Sequence, residues 1–130
     1  MVLCLSLFYI LPSFCQTQDH SQTVYRIVEE LDVKVQMRDG VRLSTNIYRP
    51  DAPGKFPVLL MRSPYGNGKS GNAEARMAVD RGYAVVLQDT RGRYESEGLF
   101  DAMQPEATDG YDTQQWVGQQ PWCNGKIGNF

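Results

Sequence analysis

The chain has 130 residues, with 13 Lys and Arg against 15 Asp and Glu, one His and three Cys. This length suits one ordinary domain, and 42% hydrophobic with 22% charged residues is typical of a soluble globular chain. A formal net charge of −2 provides no basic stripe for phosphate groups, which excludes a nucleic-acid binder, and one His with scattered Cys excludes the usual closed zinc sites.

The N-terminus has the pattern of an export signal. Residues 1–11 (MVLCLSLFYIL) form an uncharged apolar run of the length of a signal-peptide core, too short for a comfortable membrane span. Ser13 and Cys15 are small residues at positions −3 and −1 of a cleavage site. We therefore predict a signal peptide over residues 1–15 and export to the periplasm or the medium. A buried N-terminal strand and an uncleaved membrane anchor are the alternatives.

Cleavage at that position would leave Cys123 as the lone cysteine of the mature chain. A single cysteine cannot form a disulfide framework, so we predict that Cys123 is free and buried. Pairing with a cysteine outside this chain is the alternative.

The next residues predict a lead-in segment followed by a β-hairpin. Residues 16–30 are polar with few turn signals, and we expect at most one helical turn there. Apolar and polar residues alternate over Leu31–Met37, the period of a half-buried strand. Asp39-Gly40 separates this strand from a second apolar pattern over Val41–Tyr48, which predicts a tight turn with positive φ at both positions.

A strand–helix–strand unit follows the hairpin. Val58–Met61 and Tyr83–Leu87 are apolar on both faces, as in strands of a parallel sheet that is covered on both sides. Ala73–Arg81 between them has helical spacing, and Gly82 suits the end of a helix. The apolar positions of this helix are Ala73, Met77 and Ala78.

A polar connection over residues 90–103 leads to a second predicted helix, from Pro105 to Gly118. A turn at Pro121–Gly125 then precedes a last predicted strand, Lys126–Phe130. The residues expected in the core of this region are Tyr111, Trp116, Val117 and Trp122.

Two patterns that suggest a bound ion or nucleotide fail. Gly68-Lys69-Ser70 resembles part of a phosphate-binding loop, but the glycine required five positions before Gly68 is Ser63. Asp101, Asp109 and Asp112 lack the glycine-centred loop and the closing glutamate of a calcium site. We therefore predict no metal and no cofactor.

Charged residues directly after the buried strands are expected to shape loops. Asp89 and Arg91 stand two apart beside Gly92, and we predict a charge-assisted pair between them. Direct contact of this pair with a substrate is the alternative. Arg62 is likewise expected to hold a loop and not a ligand.

These segments, in their order and spacing, resemble the start of serine hydrolases of the CocE/NonD type, the family of cocaine-esterase and X-Pro dipeptidyl-peptidase-like enzymes. The resemblance covers residues 31–130. The matching segments, in chain order, are Arg38-Asp39-Gly40-Val41-Arg42-Leu43, Tyr48-Arg49-Pro50, Pro57-Val58-Leu59-Leu60, Arg62-Ser63-Pro64-Tyr65-Gly66, Asp89-Thr90-Arg91-Gly92, Ser96-Glu97-Gly98, Asp109-Gly110-Tyr111-Asp112, Trp116 and Gln120-Pro121-Trp122-Cys123-Asn124-Gly125-Lys126-Ile127-Gly128.

The resemblance implies the N-terminal part of an α/β-hydrolase fold over residues 31–130. This is a mixed, mostly parallel sheet that begins with an antiparallel hairpin and is incomplete in this chain. Family members add a helical cap and a jelly-roll domain. Their nucleophile lies in a Gly-x-Ser-Tyr-x-Gly elbow after the strand that corresponds to Lys126–Phe130, and its acidic and His partners come later. We therefore expect this segment alone to be inactive.

The residues themselves provide no complete catalytic set. The single histidine, His20, lies in a polar stretch just past the predicted cleavage site, where we expect a flexible tail. Serine nucleophiles need an adjacent base, and no serine between positions 44 and 96 has the Gly-x-Ser-x-Gly context. The serines considered are Ser44, Ser63, Ser70 and Ser96.

Tyr65 is the candidate catalytic residue. It follows Pro64 in the loop after the predicted strand Val58–Met61, the place from which α/β-hydrolases supply one oxyanion-hole donor. The resemblance implies that this donor is the tyrosine hydroxyl, since a phenol with a pKa near ~10 stays protonated at neutral pH. A loop tyrosine with a packed ring and a solvated hydroxyl is the alternative.

The resemblance thus implies an enzyme that cleaves a small ester or a short peptide through an acyl-enzyme intermediate. The choice between these substrates, and the oligomeric state, stay open. The alternative from another class is a complete, non-catalytic extracytoplasmic binding module.

Overall fold

The computed structural model describes residues 25–68, 70–101 and 105–130. The predicted signal peptide and most of the lead-in segment therefore lie outside the described residues. The elements, in chain order, are β1 (Ile27–Gln36), β2 (Arg42–Pro50), β3 (Phe56–Ser63), α1 (Ala73–Asp80), β4 (Ala84–Asp89), α2 (Glu106–Gly118) and β5 (Cys123–Asn129). In the described part of the chain, neither helix has the length and hydropathy to cross a membrane.

The five strands form one mixed sheet in the order β1-β2-β4-β3-β5. The β1–β2 and β2–β4 pairs are antiparallel, whereas β3 is parallel to both β4 and β5. This arrangement confirms the predicted mixed sheet with an antiparallel hairpin at its start. The carboxyl ends of β3, β4 and β5 consequently meet at one edge of the sheet, which we call the carboxyl edge.

Strand β4 lies in the middle of the core, and all six of its residues are buried. Successive side chains of a strand point to opposite faces, so β4 contributes to two separate clusters. Val86 packs with Val117 of α2 on one face, and Val85 packs with Val79 of α1 on the other. The prediction of a strand covered on both sides is confirmed here.

Helix α1 has the predicted position but a different buried face. Ala75 and Val79 are buried against the sheet, whereas Ala73 is exposed and Met77 is 54% exposed. The predicted apolar face of α1 was therefore wrong at Ala73 and Met77, whereas Ala78 packs against the core as predicted. Ala75 and Val79 are four residues apart on one face of the helix, and they belong to the same cluster as Val85.

The hairpin turn differs in detail from the prediction. Met37 N–H donates to Val41 O at 2.8 Å and Gly40 N–H donates to Met37 O at 2.9 Å, so the loop has three residues. Gly40 alone has positive φ there, +89°, as expected of a type I turn that ends in a left-handed residue. Asp39 does not share this conformation, which corrects the expectation of two positive φ values.

Strand β1 begins at Ile27 and not at Leu31. Residues 27–30, the end of the predicted lead-in segment, are therefore part of a β-strand and do not form a helical turn. Its pairing with β2 contains one extra residue between Glu30 and Val33, where Asp32 has a φ of +54°. Such a bulge interrupts the alternation of apolar and polar residues. The sequence pattern therefore does not indicate the first half of the strand.

The region around α2 confirms part of the predicted core. Val117 is fully buried, and Trp116 and Trp122 pack against the same cluster while partly buried. Tyr111 is 56% exposed, with the Arg38 guanidinium 5.5 Å from its ring centroid, so its predicted burial was wrong. Cys123 is free and buried, as predicted, and β5 begins at this residue inside the predicted turn.

A chain of ion pairs, with the buried Asp109 at its centre, ties α2 to the loops at the carboxyl edge. The Arg91 guanidinium donates to both carboxylate oxygens of Asp109, at 2.9 and 2.7 Å, and it also pairs with Asp39 at 2.7 Å. These contacts raise the pKa of Arg91 above its ordinary value, and the hydrogen bonds to Asp109 contribute more to this rise than those to Asp39. The predicted pair between Asp89 and Arg91 was therefore wrong, because Arg91 turns toward α2.

Arg62, at the end of β3, joins the same network. Its Nη1 lies 2.7 Å from Glu106 Oε2 at the start of α2, and its Nη2 lies 4.0 Å from Asp109 Oδ2. Arg62 Nε donates to the buried Gln88 side chain at 2.8 Å. Arg62 thus holds a helix start in place, which agrees with the structural role expected for it.

We predict that Asp109→Asn in the full-length protein lowers the free energy of unfolding by roughly 3–5 kcal/mol, because it removes the buried anion that accepts two hydrogen bonds from Arg91. Asp112→Asn, three residues further along α2, is the control. Its partner Arg38 is solvent-exposed, so this loss should be much smaller. Urea unfolding measures both variants, and equal losses would contradict a central role for Asp109.

Candidate functional site

A cavity of about 450 Å³ opens at the carboxyl edge, between the loop after β3 and the loop after β4. Ligands of open α/β sheets bind outside the carboxyl ends of the strands, so this is the expected place for a site. Its lining includes Tyr65, Gly66, Asn67, Asp89, Tyr94 and Glu95.

Tyr65 lies at this cavity with 82% of its surface exposed. Its backbone N–H donates to Ser63 Oγ at 3.0 Å, a short-range contact that closes the turn after β3. The ring is therefore not packed against the described residues. An exposed phenol at the carboxyl edge can donate a hydrogen bond to a ligand in the cavity.

The loop after β4 covers the segment that carries Tyr65. Arg93 Nε donates to Pro64 O at 3.0 Å. Tyr94, whose φ is +48°, places its ring over Gly66, where an added Cβ would lie 3.5 Å from the ring. A left-handed non-glycine residue is uncommon and stores strain, so the surrounding contacts must hold Tyr94 in this position.

Gly92 allows this loop to fold back on itself. Its N–H donates to Glu97 O at 2.9 Å, and its φ is +67°. A Cβ at this position would overlap the backbone of Leu99 and Phe100. Gly92, which the sequence places beside Asp89 and Arg91, is thus required for the backbone conformation of this loop.

Asp89 is a buried carboxylate at the base of the cavity, with only 1% of the residue exposed. Neither carboxylate oxygen has a hydrogen-bond partner of good geometry among the described residues. Burial raises the pKa of Asp89, and the nearby backbone N–H groups of Glu95 and Asn67 offset this only in part. The neighbouring Thr90 hydroxyl is also buried without a partner there.

The other sequence candidates do not converge on the cavity. Ser70 Oγ donates to Glu29 Oε2 at 2.7 Å, and Ser96 Oγ donates to Asp89 O at 2.8 Å, so both hydroxyls are engaged within the fold. His20 lies outside the described residues. Within residues 25–68, 70–101 and 105–130, no group of three or more potential ligand side chains could hold a metal ion.

Sequence reasoning missed two residues that shape the site. Asn46 interrupts the apolar pattern of β2 and is nevertheless only 4% exposed, and it binds the loop that follows Tyr65. Tyr94 was not singled out either. The only sequence signal for Asn46 is a polar residue within a predicted strand, and that signal does not indicate its partner.

The fold defines the class of protein. A CocE/NonD family hydrolase from Staphylococcus aureus superimposes with a TM-score of 0.73 and 32% identity, over 79% of this chain and 22% of that one. An α-amino acid ester hydrolase superimposes with a TM-score of 0.68 and 27% identity, over 88% of this chain and 24% of the other. The chain therefore has the fold of the N-terminal part of an α/β-hydrolase.

Residues 39–130 match the X-Pro dipeptidyl-peptidase (S15) family, and the chain belongs to this family. Cocaine esterase from Rhodococcus sp. (strain MB1 Bresler) is 45% identical over 104 residues, which cover 76% of this chain and 18% of the esterase. The chain thus spans about a fifth of the length of these relatives.

We predict that Asp89→Asn stabilises the full-length protein at pH 7. The folded-state pKa of Asp89 lies above its ordinary value of 3.8, so the carboxylate costs stability once the pH exceeds that value. At lower pH both states hold the proton and the cost disappears. The urea midpoint of the variant should exceed that of the wild type at pH 7, and the difference should shrink toward pH 4.

Asp51→Asn, in the exposed loop after β2, is the matched control, and its urea midpoint at pH 7 should stay close to that of the wild type. A loss of stability in Asp89→Asn at pH 7 would contradict this account and would indicate that the charged form is satisfied in solution.

Proposed function

We propose that this chain is the N-terminal part of the catalytic domain of an exported serine hydrolase, which cleaves ester or amide bonds through an acyl-enzyme intermediate. Membership of the X-Pro dipeptidyl-peptidase (S15) family supports this proposal. The likeness to a cocaine esterase and to an α-amino acid ester hydrolase supports it as well, because both of these proteins are named as enzymes that cleave esters.

The observation that carries the proposal is the position of Tyr65 relative to the end of β5. Leu60 of β3 pairs with Asn129 of β5, and Phe130 N–H donates to Leu60 O at 3.3 Å. Parallel neighbours advance together by about 3.3 Å per residue, so a continuing β5 runs alongside Met61–Ser63. The turn after β5, where α/β-hydrolases carry the nucleophile, then faces the loop that contains Tyr65.

This geometry fits an oxyanion hole. The serine oxygen attacks the substrate carbonyl carbon and transfers its proton to the histidine, and the carbonyl oxygen gains the negative charge. The Tyr65 hydroxyl donates one hydrogen bond to that oxygen, and the backbone N–H after the serine donates the other. Collapse of the intermediate breaks the ester or amide bond, and the leaving group takes the proton from the histidine.

The size of the cavity suits a small ester or a short peptide. Its volume of about 450 Å³ lies within the usual range for small-molecule sites. The step described above uses side chains and a backbone amide alone, so the proposal includes no cofactor.

We predict that Tyr65→Phe in the full-length protein lowers kcat by about 10²-fold or more, because one donor to the transition state is lost. KM and the thermal midpoint should change little, since the Tyr65 side chain is exposed. Tyr83→Phe is the matched control, because Tyr83 precedes β4 at the opposite edge of the sheet. Steady-state kinetics on an activated aryl ester measures both variants.

Fluorophosphonate labelling tests the nucleophile separately. The full-length protein should be labelled at one serine after position 130. In Tyr65→Phe the same serine should be labelled, but at a reduced rate. Absence of labelling would contradict a serine hydrolase, and unchanged kcat in Tyr65→Phe would contradict the oxyanion role alone.

We further propose export by the N-terminal segment and predict that the mature protein begins at Gln16. Mass spectrometry of the N-terminal peptide from the extracytoplasmic fraction measures this. Leu5→Arg should hold the precursor in the cytoplasm, because it places a charge in the apolar core of the signal. Recovery of the intact Met1 peptide from the membrane fraction would instead favour an uncleaved anchor.

A further inference from the structure

The side chain of Tyr65 has little support of its own. Its ring is 82% exposed, and the hydrogen bond of its N–H to Ser63 stays within the same turn. The position of the hydroxyl therefore depends on the backbone on either side. Arg93 Nε fixes the preceding carbonyl, that of Pro64, at 3.0 Å.

Asn46 fixes the backbone on the other side of Tyr65. Its Nδ2 group lies 3.1 Å from Asn67 O, 3.0 Å from Asn67 Oδ1 and 3.2 Å from Gly68 O, so two amide hydrogens serve three acceptors. Asn46 is 4% exposed and Asn67 is 8% exposed, so these bonds are shielded from water. A buried amide donor that loses its partners costs more than a surface hydrogen bond contributes.

The other end of the Asn46 amide is held by the sheet. Its Oδ1 accepts from Asp32 N–H at 2.9 Å, at the bulge of β1. The backbone of Asn46 is paired with Leu87 of the central strand β4. Asn46 thus connects the most deeply buried strand pair to the loop that carries Tyr65.

A second set of bonds ties the same loop to β2. Asn67 Nδ2 donates to Ser44 Oγ at 3.0 Å. Ser44 N–H donates to Ser96 Oγ at 2.8 Å, and Ser96 Oγ donates to Asp89 O. Ser44 and Asn46 of one strand therefore hold both of the loops that line the cavity.

We propose that Asn46 is a positioning residue for the Tyr65 hydroxyl. The inference rests on the oxyanion role given to Tyr65 under the proposed function. Oxyanion donors act only when held within about 0.5 Å of the productive geometry, and a displacement of about 1 Å can cost ~10²-fold in rate. The three bonds of the Asn46 amide supply that restraint on the side of the loop that Arg93 does not reach.

The test is a double-mutant cycle in the full-length protein with Asn46→Asp and Tyr65→Phe. Asn46→Asp keeps the size of the side chain and replaces the two donors by an acceptor that faces three oxygens. We expect kcat to fall about tenfold or more with a smaller change in KM, because the donor is displaced and substrate contacts remain.

In the Tyr65→Phe background, Asn46→Asp should change kcat by less than about twofold, because the hydroxyl that it positions is already absent. A merely structural role would lower kcat by the same factor in both backgrounds and would overturn the inference. An unchanged kcat in Asn46→Asp alone would overturn it as well. Asn124→Asp, at the amino end of β5, is the matched control and should leave kcat unchanged.

Two further arms separate the possible failures. If Asn46→Asp does not fold, Asn67→Ala is placed in the same cycle, because it removes one acceptor of Asn46 and the bond to Ser44. Non-additivity with Tyr65→Phe is again expected, and additivity overturns the inference. If Tyr65→Phe itself leaves kcat unchanged, the oxyanion role fails, and the role of Asn46 fails with it. If Tyr65→Phe lowers kcat and the losses of the two substitutions are additive, only the positioning role of Asn46 is refuted, and the oxyanion role of Tyr65 stands.

Discussion

The buried pair between Arg91 and Asp109 is the contact on which the carboxyl edge depends. It joins the loop after β4 to the first turn of α2, and Arg62 brings the end of β3 to the same carboxylate. A bidentate guanidinium–carboxylate contact fixes direction as well as distance. The loops that line the cavity therefore start from points that are tied to the same turn of α2, and Arg93 and Asn46 hold the Tyr65 segment within this frame.

Asp89 is a source of local instability beside the cavity. A carboxylate that is buried without a full set of hydrogen bonds destabilises the fold at neutral pH. The left-handed conformation of Tyr94 adds backbone strain beside it. Both features lie at the cavity and neither residue belongs to the three hydrophobic clusters of the described residues, which is the distribution expected when local strain is retained for a site.

The sequence predicts well what depends on neighbours in the chain. Asp39-Gly40 located the hairpin and Gly82 located the end of α1, because turns and caps depend on a few adjacent residues. It predicts poorly what depends on distant partners. Arg91 was assigned to Asp89 because proximity in the chain was the only guide, and the actual partner lies in α2. Asn46 had no signal for its contact with Asn67.

The two outer strands of the sheet differ in a way that gives it a direction of growth. Among the described residues, β1 and β5 form its borders. Strand β1 combines a bulge at Asp32 with an ion pair between Asp32 and Lys34, and both features discourage a further chain from pairing there. Strand β5 lies beside β3 and forms no such ion pair among the described residues. Among the described residues, the β5 border is therefore the one suited to accept a further strand, whereas the β1 border resists pairing with another chain.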